Sequence, residues 1–190
     1  PDRIEAVSWI VAAAITKGEL IIHDVPFKFM EVPMIHFRDI GINYYVSDDA
    51  LFINHRDRHE HYINPFEVAC GVHPGVMTDM QPFITVLATQ AQGNSRVIDY
   101  RYPERFDYIK GMEVMGGKFS LSHGEVRISG PLSFRGGEVS APDLRGGAAL
   151  MLTAMVSDGT TTIDRFSMIR RGYDDLASKF ASMNIEFSTD

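Results

Sequence analysis

The sequence predicts an α/β (α+β) domain made of three similar units, with apolar helices inside and strands outside. Three observations predict this fold: a pattern that recurs at three places, helical segments that are apolar nearly all round (Trp9–Ile15 and Leu150–Val156), and strands in which apolar and polar residues alternate. A helix that is apolar on every side must be covered, whereas an alternating strand keeps one face in water. We therefore expect buried helices with sheets around them.

The first half of each unit has four parts in a fixed order. An acidic residue starts a helix, a glycine follows the helix, and a strand then ends in aspartate. The acidic residues are Asp2, Asp79 and Asp143, the glycines are Gly18, Gly93 and Gly159, and the final aspartates are Asp24, Asp99 and Asp164. Glycine at this place predicts a left-handed helix C-cap. The repeats are expected at about 1–70, 71–141 and 142–190, within a single domain of residues 1–190.

The second half of each unit begins with another helical segment, after which a strand is expected. The three helical segments are about Phe29–Asp39, Phe106–Met115 and Tyr173–Met183. In the first two units the strand turns back as a hairpin, at 43–54 and 119–129, and an extended segment (66–70 and 138–141) leads into the next unit. Each unit is thus roughly βαβαββ.

The third unit stops at Ile185–Asp190 without a returning strand. An unpaired sheet edge is an aggregation liability. We therefore expect a strand from elsewhere in the native polypeptide to cover this edge.

The stretch Pro74–Gln81 contains the most informative helix start. Pro74 and Gly75 predict a turn, Thr78 an N-cap, and Gln81 the second member of a capping box. Asp79 would then lie in the first helical turn, where the helix dipole is positive and anionic ligands are attracted. The pattern alone leaves a second interpretation open, in which Asp79 only complements the dipole. If the three helix starts cluster at one end, three positive helix ends face one cleft.

Charge and composition exclude two classes of partner. The chain has 18 basic and 25 acidic residues, a formal charge of −7, which disfavours a general nucleic-acid binder. No apolar run approaches the roughly 18 residues of a membrane span. Cys70 is the single cysteine, so no internal disulfide can form, which is consistent with a cytoplasmic protein. We expect neither nucleic acid nor membrane as a partner.

The histidine-rich run His55–His61 raises the question of a metal site. Its residues lack the spacing of a zinc site, and the run is polar, which favours a solvated loop. The chain also lacks a glycine-rich phosphate-binding fingerprint. We expect no metal and no cofactor.

Five stretches together resemble the enolpyruvyl transferases, and among them the members that use UDP-N-acetylglucosamine in the first committed step of peptidoglycan synthesis. The stretches are Pro1–Ala6, Thr78–Gln81, Arg105–Phe106, Asp143–Leu150 and Arg171–Tyr173. The resemblance covers the whole chain but only the second half of the family's chain. It implies an inside-out α/β barrel, a missing N-terminal domain as partner, substrates bound between the two domains, and an isolated chain that is inactive.

The resemblance also implies a reaction and a set of residues. The enolpyruvyl group of phosphoenolpyruvate moves to the sugar 3-hydroxyl through a tetrahedral intermediate, and phosphate is released. This step needs a base for the hydroxyl proton and cations for phosphate and carboxylate. Asp79 occupies the position of the family's aspartate that contacts the substrate and transfers the proton. The other substrate-binding positions that the resemblance implies are Arg101, Arg105, Asp143, Arg145 and Arg171. Guanidinium groups suit anions because their fork binds two oxygens and keeps its charge.

Three departures from the family pattern leave alternatives open. Val76–Met77 stand where Phe-Pro is usual, Arg101 where the residue is usually aliphatic, and Arg170 where an acid is frequent. The alternatives are a related transferase with another nucleotide-linked acceptor and a non-catalytic binding protein derived from the fold. A third alternative is the sister enzyme that uses shikimate phosphate. It is less favoured because the sugar-using members of the family match better at Thr78–Gln81 and Arg171–Tyr173.

Overall fold

The computed structural model describes residues 2–54 and 63–189, and its centre consists of three buried helices. These helices are α1 (Arg3–Thr16), α3 (Gln81–Thr89) and α5 (Leu144–Ala154), one from each unit, and each contacts the other two. All nine residues of α3 are buried. The observed burial confirms the prediction that the apolar helices lie inside. A helix without a polar face is stable only when other elements cover it.

Shorter helices and the strands surround this centre. The remaining helices are α2 (Glu31–Ile40), α4 (Tyr108–Val114), α6 (Ser167–Arg170) and α7 (Leu176–Ser182), and 3-10 turns lie at Phe27–Phe29 and Thr78–Met80. The strands are β1 (Leu20–Ile22), β2 (Tyr44–Val46), β3 (Leu51–Ile53), β4 (Glu67–Ala69), β5 (Asn94–Ile98), β6 (Ser120–Ser122), β7 (Glu125–Ser129), β8 (Phe134–Arg135), β9 (Glu138–Ser140), β10 (Ser157–Asp158) and β11 (Thr162–Asp164).

The strands of the described residues form four sheets, and parallel strand pairs link successive units. One sheet has the order β1-β3-β2 and is antiparallel; the second has the order β4-β5-β7-β6. The other two sheets are the parallel pairs β8–β10 and β9–β11. The last strand of the first unit, β4, pairs with β5, and the last strand of the second, β9, pairs with β11. The extended segments therefore join one unit to the next, as predicted.

The second half of each unit agrees with the sequence prediction in its helices and hairpins. α2, α4 and α7 lie within or beside the three predicted segments, and each is followed by a left-handed residue: Gly41, Gly116 or Asn184. The hairpins β2–β3 and β6–β7 form as expected. Local turn chemistry is sufficient for these elements because a hairpin and a helix end are both fixed by neighbouring residues.

The predicted glycine C-caps are wrong. The left-handed residue after α1 is Lys17, with a φ of 56°, rather than Gly18. α3 ends at Thr89 and α5 at Ala154, so Gly93 and Gly159 lie several residues beyond the helices. Their positive φ values, 142° and 86°, belong to the turns that lead into the next strands. The glycines are thus required by these turns, where other residues would be strained.

The strand predicted at the end of the third unit is also wrong for the described residues. Residues 185–189 have no strand assignment. The segment is anchored by apolar packing instead: the ring of Phe187 lies 5.3 Å from Phe166 and 4.9 Å from Phe180 between ring centres. A strand needs a hydrogen-bonded neighbour, and none is present at this segment in the described part of the chain. A covering strand from elsewhere stays a prediction.

Two other findings concern membranes and metals. Among residues 2–54 and 63–189, no helix has both the length and the apolar character needed to cross a membrane. The same residues contain no group of three metal-ligating side chains, while the run His55–His61 lies outside the described residues.

Cys70 is a buried free cysteine, and burial raises the pKa of its thiol.

Close backbone packing at Gly136 gives a test of the fold. A Cβ atom at this position would lie 2.1 Å from the carbonyl oxygen of Thr160, which is a backbone atom. We expect Gly136→Ala to lower the free energy of unfolding by about 1–3 kcal/mol, as overpacking does. Gly71→Ala is the control because its Cβ would meet no atom within 4 Å. Urea unfolding of both variants measures the difference, and equal midpoints would contradict the packing at Gly136.

Candidate active site

The helix start around Thr78 differs from the predicted capping box. Thr78 begins a 3-10 turn that leads directly into α3, and α3 itself begins at Gln81. The side-chain amide of Gln81 donates to the Tyr108 hydroxyl at 2.6 Å and to Thr85 Oγ1 at 3.3 Å, instead of turning back towards Thr78. A buried amide requires such partners, which the local pattern could not reveal. Asp79 therefore lies in the first turn of a 3-10 segment.

Asp79 is held by two arginines from different parts of the chain. Arg105 Nη1 donates to Asp79 Oδ1 at 2.7 Å, and Arg145 Nε lies 3.6 Å from Asp79 Oδ2. Arg105 precedes α4 and Arg145 lies in the first turn of α5, so three elements meet at this carboxylate. The side chain of Asp79 is still 38% exposed, which leaves it accessible to a ligand.

Arg145 combines burial with an unused hydrogen-bond donor. Its side chain is only 13% exposed, and Nη1 is buried without a hydrogen-bond partner among the described residues. Buried guanidinium N–H groups normally have an acceptor, because desolvating a donor without one is costly. An oxygen of a bound phosphate or carboxylate would satisfy it with the geometry that guanidinium favours.

A second group of cations lies on the loop that follows β5. The guanidinium carbons of Arg101 and Arg105 lie 5.7 Å and 5.9 Å from the centre of the Tyr102 ring. Both distances are typical of cation–π contacts. Both arginines therefore contact the Tyr102 ring, and Arg105 also contacts Asp79. Tyr102 was not among the predicted site residues, although the sequence Arg-Tyr-x-x-Arg was a signal for it.

Asp143 acts as the N-cap of α5. Its Oδ1 accepts a hydrogen bond from the backbone N–H of Gly146 at 2.8 Å. The start of α5 is tightly packed, because a Cβ at Gly146 would lie 3.1 Å from Cβ of Tyr108 and one at Gly147 would lie 2.8 Å from Ile169. These two glycines allow the close approach that fixes the position of Arg145 next to the cap. The structure therefore gives Asp143 a clear local role, the orientation of the first turn of α5.

Arg171 lies near this helix start without joining the ion pairs of Asp79. It follows α6, is exposed, and forms no ion pair among the residues that the structure describes. A Cβ at Gly172 would come within 2.6 Å of the Leu144 side chain, so the segment carrying Arg171 packs against the beginning of α5. The backbone at Arg171 is thus held close to the helix start that carries Asp143 and Arg145.

The starts of α1 and α5 lie at the same end of the domain. Burial raises the pKa of Tyr173 to about 12, and the nearby charges that act on it include Arg145, Glu5 and Asp2. Asp2 caps α1 through a 2.8 Å hydrogen bond from the Ile4 N–H. Arg145 also contacts Asp79 at the start of α3, so the starts of the three buried helices lie at the same end of the domain.

The convergent end combines several cations with the accessible carboxylate of Asp79. Arg101, Arg105 and Arg145 provide fixed positive charge for phosphate or carboxylate groups. Asp79 provides an oxygen that can accept a proton from a hydroxyl group bound beside it. Such a site is suited to a group transfer between an anionic donor and a hydroxyl acceptor.

Comparison with known proteins gives the family and its extent. The family model described as EPSP synthase (3-phosphoshikimate 1-carboxyvinyltransferase) matches residues 1–180. The UDP-N-acetylglucosamine 1-carboxyvinyltransferase 2 of Listeria innocua is 35% identical over 188 residues, which cover 99% of this chain and 44% of that protein. The corresponding carboxyvinyltransferase of Prosthecochloris aestuarii is 34% identical, over 97% of this chain and 43% of that protein.

Solved structures give the same result for the fold. The enolpyruvyl transferase NikO from Streptomyces tendae superposes with a TM-score of 0.86 at 25% identity, covering 98% of this chain and 43% of that protein. EPSP synthase from Acinetobacter baumannii superposes with a TM-score of 0.76 at 17% identity. This chain spans less than half the length of the relatives it matches. The chain therefore belongs to the EPSP synthase family, the enolpyruvyl (carboxyvinyl) transferases.

Proposed function

We propose that the natural polypeptide containing this chain transfers the enolpyruvyl group of phosphoenolpyruvate to the 3-hydroxyl of UDP-N-acetylglucosamine, for peptidoglycan synthesis in the cytoplasm. The observation that carries the proposal is the carboxylate of Asp79 held by Arg105 and Arg145 at the meeting point of three helix starts. Relatives that are 32–35% identical and carry the name UDP-N-acetylglucosamine 1-carboxyvinyltransferase support the choice of substrates.

The proposal assigns a role to each group of side chains. Asp79 contacts the acceptor and takes the proton of its hydroxyl group as the new C–O bond forms. Arg105 and Arg145 stabilise the negative charge of the tetrahedral intermediate, and Nη1 of Arg145 binds a substrate oxygen. Arg171 binds phosphoenolpyruvate, Arg101 lies against the acceptor, and Asp143 lines the cleft. No metal or cofactor takes part in this scheme.

The proposal also divides the polypeptide into two halves. Residues 1–190 form one domain of three repeats, about 1–70, 71–141 and 142–190, and the substrates bind between this domain and an N-terminal domain of the same polypeptide. The 44% coverage of the Listeria innocua relative supports this division. A cleft needs two walls, so residues 1–190 alone are expected to be inactive.

One observation favours a second candidate, a transferase with another nucleotide-linked acceptor. Arg101 carries a positive charge within the proposed acceptor site, where the family pattern has an aliphatic residue, and its guanidinium packs against Tyr102. An additional cation favours an acceptor with an additional anionic group near the reacting hydroxyl. The reaction would be the same and only the acceptor would differ.

Phosphate release from phosphoenolpyruvate by the full natural polypeptide tests the proposal. We expect release that depends on UDP-N-acetylglucosamine and no release by residues 1–190 alone. Release only with a different nucleotide or sugar would keep the reaction and favour the second candidate. No release with any acceptor would contradict the proposed reaction and favour a non-catalytic binding protein. Release by residues 1–190 alone would contradict the division of the site between two domains.

A further inference from the structure

Asp99 directly follows β5 and is not among the residues to which the proposed reaction assigns a role. Its side chain is completely buried, and Oδ1 accepts hydrogen bonds from the backbone N–H groups of Arg101 and Tyr102, both at 3.1 Å. The N–H of Asp99 itself donates to the carbonyl oxygen of Gly124 at 2.7 Å. One buried residue thus joins the β6–β7 turn to the beginning of the arginine-bearing loop.

A continuous series of hydrogen bonds leads from this carboxylate to Asp79. Asp99 binds the N–H of Tyr102, and the carbonyl oxygen of Tyr102 accepts from the N–H of Arg105 at 2.9 Å. The side chain of Arg105 then donates to Asp79 at 2.7 Å. The backbone from 99 to 105 is therefore held at both ends, and the guanidinium of Arg105 projects from the held part.

The burial of Asp99 costs stability, which makes a purely stabilising role unsatisfactory. Its Oδ2 is buried without a hydrogen-bond partner among the described residues, and burial raises the pKa of its carboxyl although Arg105 and Arg101 oppose this shift. The other ionisable groups that interact with it, Cys70 and Tyr108, have pKa values raised by burial. A buried carboxylate oxygen without a hydrogen-bond partner costs free energy, so its presence calls for an explanation other than stability.

We propose that Asp99 is a positioning residue, which fixes the loop from 99 to 105 so that Arg101 and Arg105 face the substrate beside Asp79. The carboxylate touches neither substrate nor reacting atoms, and it acts through the two backbone N–H groups that it binds. The proposal rests on the proposed function for its effect on turnover. Its effect on the loop is independent of any reaction.

Two variants of Asp99 separate the positioning role from a general loss of stability. Asp99→Ala removes both hydrogen bonds, whereas Asp99→Asn retains a carbonyl oxygen at the place of Oδ1. We expect kcat/KM of the full natural polypeptide to fall by about 10- to 100-fold in the alanine variant, the range for lost hydrogen bonds to a charged group. The asparagine variant is expected to stay within about threefold of wild type. Its side-chain carbonyl oxygen can still accept hydrogen bonds from the backbone N–H groups, and only the extra strength of a charged acceptor is lost.

Asp164→Ala is the matched control. Asp164 ends the corresponding strand of the third unit, where its exposed carboxylate accepts from the N–H of Arg165 at 2.7 Å. Its replacement removes the same kind of hydrogen bond at a strand end and is expected to leave kcat/KM unchanged. Equal losses in Asp164→Ala and Asp99→Ala would overturn the proposal, and so would an unchanged kcat/KM in Asp99→Ala.

Hydrogen exchange of the full polypeptide distinguishes failure of this proposal from failure of the proposed function. We expect the peptide covering residues 99–106 to exchange at least about tenfold faster in Asp99→Ala and at the wild-type rate in Asp99→Asn. Unchanged exchange in the alanine variant would overturn the positioning role even if turnover fell. If the wild type releases no phosphate with any acceptor, the proposed function fails, and exchange still decides whether Asp99 holds the loop.

Discussion

Replacing Asp79 by alanine in the full natural polypeptide is expected to lower kcat for phosphate release by about 10²- to 10⁴-fold, the usual contribution of a general base. The physical reason is the absence of another accessible carboxylate between Arg105 and Arg145, in the part of the chain that the structure describes. Asp79→Asn is expected to lose as much, because an amide keeps the shape and a hydrogen-bond acceptor for Arg105 but takes no proton at neutral pH.

The control for Asp79 is Asp107→Ala. Asp107 lies two residues after Arg105, and among the described residues its exposed carboxylate accepts a side-chain hydrogen bond only from Lys110, at 2.8 Å. Its replacement removes one acidic charge from the same region and should leave kcat unchanged. Steady-state release of phosphate measures all three variants. Retention of more than a tenth of the wild-type kcat in Asp79→Asn would show that this carboxylate is not the base.

Replacing Arg145 by methionine is expected to lower kcat/KM by about 10- to 150-fold, which corresponds to the 1.5–3 kcal/mol of a hydrogen bond to a charged group. Methionine fills a comparable apolar volume, so the change mainly removes the guanidinium. The unused donor at Nη1 and the contact with Asp79 are both lost. Arg145→Lys keeps the charge but not the planar fork, and we expect it to recover only part of the loss.

Arg127→Met is the control for Arg145. Arg127 lies on β7, its side chain is mostly exposed, and Glu125, its partner, also pairs with Arg96. Exposed ion pairs contribute little, so kcat/KM should not change. The measurement is the dependence of phosphate release on phosphoenolpyruvate concentration. Wild-type behaviour of Arg145→Met would remove this arginine from the proposed substrate site.

The repeated helices and hairpins could be predicted from the sequence because their signals are local. The all-round apolar character of α1 and α5 indicated burial without any knowledge of their neighbours. The hairpin β6–β7 followed from alternating residues around His123–Gly124. The short strands β8 and β10 were not predicted, since two-residue strands have no periodicity and exist only through pairing with each other.

Failures of local prediction occurred where distant residues compete for a side chain or a turn. Gln81 was expected to complete a capping box, but Tyr108 and Thr85 supply better partners in the core. Gly93 and Gly159 were expected at helix ends, but the helices end earlier and the glycines serve the turns into the strands. A sequence pattern records which residues can make a contact and not which of several partners is near.

By itself the sequence determined the three-unit plan, the burial of the first helices and the identity of the acidic residues at their starts, because periodicity and helix-start chemistry involve residues close in the chain. Only the tertiary structure decided that Arg105 and Arg145 meet at Asp79, and that Arg101 and Arg105 both lie within cation–π distance of Tyr102. These contacts join positions up to 66 residues apart, from Asp79 to Arg145. They depend on how the three buried helices pack at one end, which no local spacing specifies.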